Sequence, residues 1–197
     1  MPTDAALPHD LAAHQLAAHQ AAWLGQVDDY AQAYPAERAV AMLFAQLMAE
    51  DPAAASRERR DAHLTGSAWL VSPDGGRVLL THHRKLDRWL QLGGHADGDT
   101  DLARVALREA EEESGLADLA VEPQVFDLDR HRIPARGDEP EHWHYDVRFV
   151  VRARGSEAFA VGEESHALAW VEIAAIAHDR MQDESLRRMA RKWLARR

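Results

Sequence analysis

The first sixty residues carry Leu, Ala and Gln with almost no β-branched side chains, and this pattern predicts helices over 10–30 and 36–50. Tyr34-Pro35 and Asp51-Pro52 punctuate them, because a residue that precedes proline avoids helical backbone. From Thr65 onward the texture changes to strands. Positions 67–71 and 77–81 flank Ser72-Pro73-Asp74-Gly75-Gly76, which reads as a β-hairpin. A short strand over 89–92 leads into Gly93-Gly94, and a helix over 101–114 follows, with Gly115 where helices commonly end. Strand-like runs at 125–133 and 142–153 enclose a polar loop at 134–140, and helices over 172–177 and 183–195 complete the chain. Strands interspersed with helices predict an α/β or α+β sandwich. The change of texture divides the chain into an N-terminal helical extension, 1–60, and a domain over 61–197.

Several polar positions stand out against this pattern. In 142–150, Trp143, Tyr145, Val147 and Phe149 share one strand face and read as core. His142, His144, Asp146 and Arg148 share the other face, which either lines a pocket, with His144 or Arg148 on a phosphate, or faces solvent. Arg130, His131 and Arg132 pose the same choice. His82, His83, Arg84 and Lys85 read as a solvated strand end that could also meet phosphate. Trp89, Trp143 and Tyr145 could stack a base or fill the core. His9, His14 and His19 recur in five-residue steps, which turn a helix by about 140° and fan the rings apart, so no metal site is expected there. Near the C terminus Leu186, Met189, Ala190, Trp193 and Leu194 form an apolar stripe beside Arg187, Arg188, Arg191 and Lys192; docking on the domain is expected rather than a membrane surface.

Charge and composition narrow the function. Lys and Arg number 23 against 33 Asp and Glu, a net charge of −10, which repels long nucleic acids but admits a small anionic substrate where a metal reverses the local sign. With no cysteine, disulfides, thiolate nucleophiles and Cys-ligated zinc are excluded. No signal sequence and no run of about 18 apolar residues is visible, so the chain is expected to be soluble and cytoplasmic, without a membrane partner.

The chemistry concentrates after the glycine pair. On a helix Glu109, Glu112 and Glu113 stand at i, i+3 and i+4, within about a 100° arc, beside an apolar arc of Leu102, Ala103, Ala106, Leu107 and Ala110. Hard oxygen ligands on one face suit Mg²⁺ or Mn²⁺; a bare Glu-rich helix balanced by Arg104 and Arg108 would instead be a solvated surface. The surrounding grammar favours the metal. Gly94, Arg108, Glu109, Glu112, Glu113, Gly115 and Leu116 fall in register with the signature of the Nudix hydrolase family, which this stretch resembles. Ala110 stands at the aliphatic place, and Thr100 replaces the first signature glutamate, flanked by Asp99 and Asp101.

The resemblance implies an α/β/α sandwich with a mixed sheet and metal-dependent cleavage of a diphosphate in a small nucleotide-like substrate. It implies that Glu109, Glu112 and Glu113 hold Mg²⁺ or Mn²⁺ together with the Gly94 carbonyl, while Arg108 orients the glutamates. Either Glu112 or Glu113, or a glutamate from a later loop, would take the proton from water; Glu163 and Glu164 in Gly162-Glu163-Glu164-Ser165-His166 form such a loop. Glu164 is placed with the catalytic set, and Glu163, His144, Arg148 and Arg132 with the substrate. The rival readings are a Nudix-like regulatory module that binds a nucleotide without turnover, and an interaction protein built on the N-terminal helices, which could also form a homodimer. The related isopentenyl diphosphate isomerases would require a catalytic cysteine.

Overall fold

The computed structural model describes residues 9–196, with only the backbone for 9–19 and 52, so the expectation for the rings of His9, His14 and His19 lies outside the described side chains. Two helices come first, α1 (His9–Ala33) and α2 (Arg38–Glu50). Strands β1 (Ala62–Val71), β2 (Arg77–His83), β3 (Arg88–Leu90) and β4 (Leu92–His95) then lead into α3 (Leu102–Ser114). Strands β5 (Leu119–Ile133), β6 (His142–Ala153) and β7 (Ser165–Glu172) are followed by α4 (Ile173–His178) and α5 (Glu184–Ala195).

β1 is the spine of a seven-stranded mixed sheet. One edge runs parallel with β6 over its whole length, and the other is shared by β4 near its start and β2 at its end, both antiparallel. β2 extends the sheet to β3 and β7, and β6 extends it to β5. Every residue of β1 is buried, as in a strand covered on both faces. Leu64, Ala68 and Leu70 turn toward α1, α2 and α3, whereas Trp69 and Val71 turn toward α4 and α5. The expected sandwich is therefore present.

Local differences have local causes. The strand expected over 89–92 is divided between β3 and β4 at Gln91, so the chain leaves β2 and returns to β1. β5 begins at Leu119, before the expected 125, and its register shifts between Val121 and Val125. Pro123 lies inside that irregular stretch, where a missing N–H does least damage. The apolar stripe of α5 docks as expected, with Leu186, Met189, Ala190 and Trp193 buried.

The N-terminal helices share the domain's core. Trp23, Val27, Phe44 and Leu47 belong to the same buried cluster as Leu64, Ala106 and Phe149. A charged network adds a second link. Asp127 of β5, fully buried, accepts from Arg188 at 2.7 Å and Lys192 at 2.7 Å on α5, and from Arg148 at 3.1 Å on β6. Lys192 also donates to Glu37 at 2.9 Å and to the Tyr30 hydroxyl at 2.6 Å, which tethers the helical segment. Burial alone would raise the Asp127 carboxyl, but the Arg188 bonds and the charges of Arg148 and Lys192 hold it below its usual range. Removing one member of a buried charge cluster costs far more than losing an exposed pair. Asp127→Asn is expected to lose about 3–5 kcal/mol in denaturant unfolding. Glu122→Gln, which breaks the exposed bridge to Arg152, should lose under about 1 kcal/mol.

Candidate active site

α3 starts where Asp101 caps it, accepting from the Arg104 N–H at 3.1 Å, and stops at Gly115, whose φ of 66° ends the helix without the strain a side chain would bring. Its apolar arc, Leu102, Val105, Ala106 and Ala110, is buried against the sheet. That packing fixes which way Glu109 and Glu113 point. Ala103 and Leu107, expected on the same arc, are only half-buried, and Val105 takes the inner place.

The glutamates meet the backbone of β4. An added Cβ at Gly94 would lie 2.5 Å from Glu109 Oε2, so only glycine lets the loop backbone approach the carboxylate this closely. Glu113 accepts from the Gly93 N–H at 2.9 Å. Arg108 donates to Glu109 at 2.8 Å and to the His95 carbonyl at 3.1 Å, clamping helix to loop. Glu112 is exposed at the edge of the group. Asp99 is engaged by Arg104 at 2.7 Å and Asp101 by the cap, so both aspartates beside Thr100 already have partners.

Electrostatics sets this cluster apart from the Asp127 network. Burial raises the Glu109 carboxyl, and the Arg108 bond only partly offsets it. Burial also pushes Glu113 up to about 7, opposed by the Gly93 N–H and reinforced by the charges of Glu109, Glu164 and Glu112. Glu164, on the turn before β7, is thus near enough for its charge to act on both glutamates, and its side chain makes no hydrogen bond among the described residues. Its carbonyl accepts from the Arg84 N–H at 2.9 Å. Glu163 is exposed on the same turn.

The expected substrate contacts are placed differently. Arg148 is 2% exposed and each of its guanidinium nitrogens faces an aspartate: Asp146 at 2.7 Å, Asp127 at 3.1 Å and Asp129 at 3.3 Å. Buried and ion-paired in this way, it is a member of the internal charge network rather than a group presented to a phosphate. The polar face of β6 is neither pocket wall nor solvent face there, because α5 covers it, with Met189 against Arg148. Arg132 is exposed and paired with Glu141 at 2.7 Å. Arg130 lies 3.6 Å over the Trp143 ring, Tyr145 is core, and Trp89 stacks on His82. His144 sits among His63, His95 and His142, of which the sequence had put only His142 on its face. Only the alternation of His142 and His144 was visible in advance; the strand register that adds the other two was not.

Glu113 has a stability consequence with a definite sign. A folded value above the ordinary 4.5 means its contribution is fully present below about 4.5 and lost as pH rises through about 7. In chelator at about pH 8.5, Glu113→Gln should therefore be more stable than the parent, on the order of 1–3 kcal/mol or several degrees in Tm. At about pH 4 the gain should vanish. Thermal unfolding at the two pH values checks this.

Comparison with known proteins agrees with this fold. The NUDIX domain profile matches residues 62–193. No curated protein matches the chain. Among solved structures, the C. elegans Ap4A hydrolase binary complex is 17% identical with a TM-score of 0.53, covering 67% of this chain and 95% of that one. The E. coli dihydroneopterin triphosphate pyrophosphohydrolase is 16% identical with a TM-score of 0.52, covering 68% and 96%. A MutT protein from Methanosarcina mazei Go1 is 16% identical with a TM-score of 0.50, covering 70% and 96%. At such identity the likeness is one of fold.

Proposed function

The chain belongs to the Nudix hydrolase family, and from that premise we propose that it hydrolyses a diphosphate linkage in a small nucleotide-like substrate with Mg²⁺ or Mn²⁺. The observation that carries the reading is the approach of the Gly94 backbone to Glu109, with Glu113 held against Gly93 beside it and Glu164 near enough for its charge to act on both. That donor set fits the ion: hard oxygens, and more negative charge than the surrounding cations balance. Glu109, Glu112, Glu113 and the Gly94 carbonyl would hold it. When bound, the ion neutralises phosphate charge and makes a water acidic.

The protein's own groups have separable tasks. Arg108 orients Glu109 and holds the loop through the His95 carbonyl, the role of an outer partner to a metal ligand. Gly93 N–H holds Glu113 in place. Glu164 is assigned as the proton acceptor for the attacking water, since its charge acts on Glu109 and Glu113 and its side chain makes no hydrogen bond among the described residues. Glu163 would meet the substrate from the same turn. The domain unit is placed at 61–197, with α1 and α2 as an integral cover rather than a detachable module.

The test is a screen of nucleoside triphosphates, dinucleoside polyphosphates, nucleotide sugars, ADP-ribose and pterin triphosphates with Mg²⁺ or Mn²⁺. Metal-dependent release of phosphate or nucleotide is expected for at least one class. Glu113→Gln should abolish it, and Glu164→Gln should lower kcat by about 10²–10⁴ with little change in KM. Turnover that persists in chelator or in Glu113→Gln would refute the reading.

A further inference from the structure

Four imidazoles that the proposed hydrolysis does not use converge at one end of the sheet. Parallel pairing of β1 with β6 sets His63 opposite His144, and antiparallel pairing of β1 with β4 sets His95 opposite Thr65, two residues along from His63. His142 lies two residues before His144 on the same strand face. The ring centroids of His63 lie 5.2 Å from His95, 5.0 Å from His142 and 4.8 Å from His144. One nitrogen from each of His63, His95 and His144 falls within 4.8 Å of the others.

The hydrogen bonds orient these rings as ligands. His63 Nδ1 is 3.1 Å from the Arg59 carbonyl, which can only accept, so Nδ1 carries the hydrogen and Nε2 presents a lone pair. That Nε2 is buried and has no partner, in a residue only 2% exposed. A buried imidazole nitrogen without a partner is costly, and nothing in the hydrophobic core requires it. His142 Nδ1 is likewise fixed by the Pro140 carbonyl at 2.9 Å, leaving its Nε2 to accept from His144 Nε2 at 3.1 Å. A ring held through one nitrogen by a carbonyl or a second acceptor is the usual arrangement behind a metal-binding histidine. A cavity of about 300 Å³, bordered by Arg57, Arg60, His63, Glu139 and His142, opens onto the cluster and supplies an entry path.

We propose that His63, His95 and His144 form a second metal site, specific for a borderline divalent ion of the Zn²⁺ class and distinct from the carboxylate site. All-nitrogen donors discriminate against Mg²⁺, which takes oxygen, and favour Zn²⁺, Co²⁺ or Ni²⁺. A tetrahedral ion with bonds of about 2.0–2.1 Å needs its nitrogens roughly 3.4 Å apart, so the rings draw in by about 1 Å on binding. Water or Glu139, whose carboxylate lies 3.8 Å from the neighbouring His142 Nε2, would supply the fourth ligand. The site touches the reaction only through the backbone: His95 follows Gly94, and its carbonyl is the one that Arg108 holds. An ion on His95 would therefore stiffen the loop that meets Glu109.

The experiment uses full-length protein stripped with chelator and titrated with Co²⁺ and Zn²⁺. An intense visible band of a four-coordinate cobalt site, saturating at one equivalent per chain, is expected, displaced by Zn²⁺ and not by Mg²⁺. His63→Gln and His144→Gln should weaken Zn²⁺ displacement of that cobalt band by about 100-fold or more, while Glu109→Gln and Glu113→Gln leave the band and its displacement unchanged. X-ray absorption on the Zn²⁺-loaded parent, which needs no variant to fold, should show an imidazole shell. An oxygen-only shell, or Zn²⁺ binding lost in the glutamate variants and retained in the histidine ones, would overturn the proposal.

Discussion

The mutual repulsion of half-buried carboxylates pressed against a glycine backbone is the constraint on which the functional end of this structure depends. Glu109 and Glu113 are drawn to β4 by the packing of α3, by Arg108 and by the Gly93 N–H. Each of those contacts is local and favourable, yet together they hold negative charges near one another and away from water. The strain appears where theory places it, in carboxyls shifted upward by burial and by their neighbours. The cation proposed above would relieve that repulsion.

The opposite case lies on the other face of the same sheet. Asp127, Asp129 and Asp146 are also withdrawn from water, but Arg148, Arg188 and Lys192 reach them from β6 and α5. There the carboxyls are held down despite their burial, and Asp129 is lowered by the His131 bond and by Arg148 and Arg188. One network is closed on itself and stabilises the docking of α5 and the N-terminal helices. The other is open on its acidic side, and that imbalance separates a site from a scaffold.

Most elements were legible in the sequence because each follows from local chemistry. The α3 helix was set by its apolar arc and Gly115, and the docking of α5 by its stripe. The glutamate arc could be placed because helix spacing brings those residues together, and Gly94 because the resemblance to the family signature set it beside them. What stayed hidden depended on which strands became neighbours. The alternation of β6 put Arg148 on a polar face but could not show that α5 covers that face with a matching set of charges. His63 and His95 join His144 only through the registers of β1 with β6 and β4, which no local pattern encodes. Tyr30 meets Lys192 across 162 positions, beyond the reach of any periodicity.

Proton release on metal binding tests the electrostatic account most directly. Titrating Mn²⁺ calorimetrically into metal-free protein, in buffers of different ionisation enthalpy, counts the protons displaced. With Glu113 near 7, on the order of half a proton should leave at pH 7 and almost none at about pH 9, and Glu113→Gln should remove the effect. Binding with no proton release at pH 7, and with the same affinity from about pH 6 to 9, would contradict the claim that these carboxylates are strained until a cation joins them.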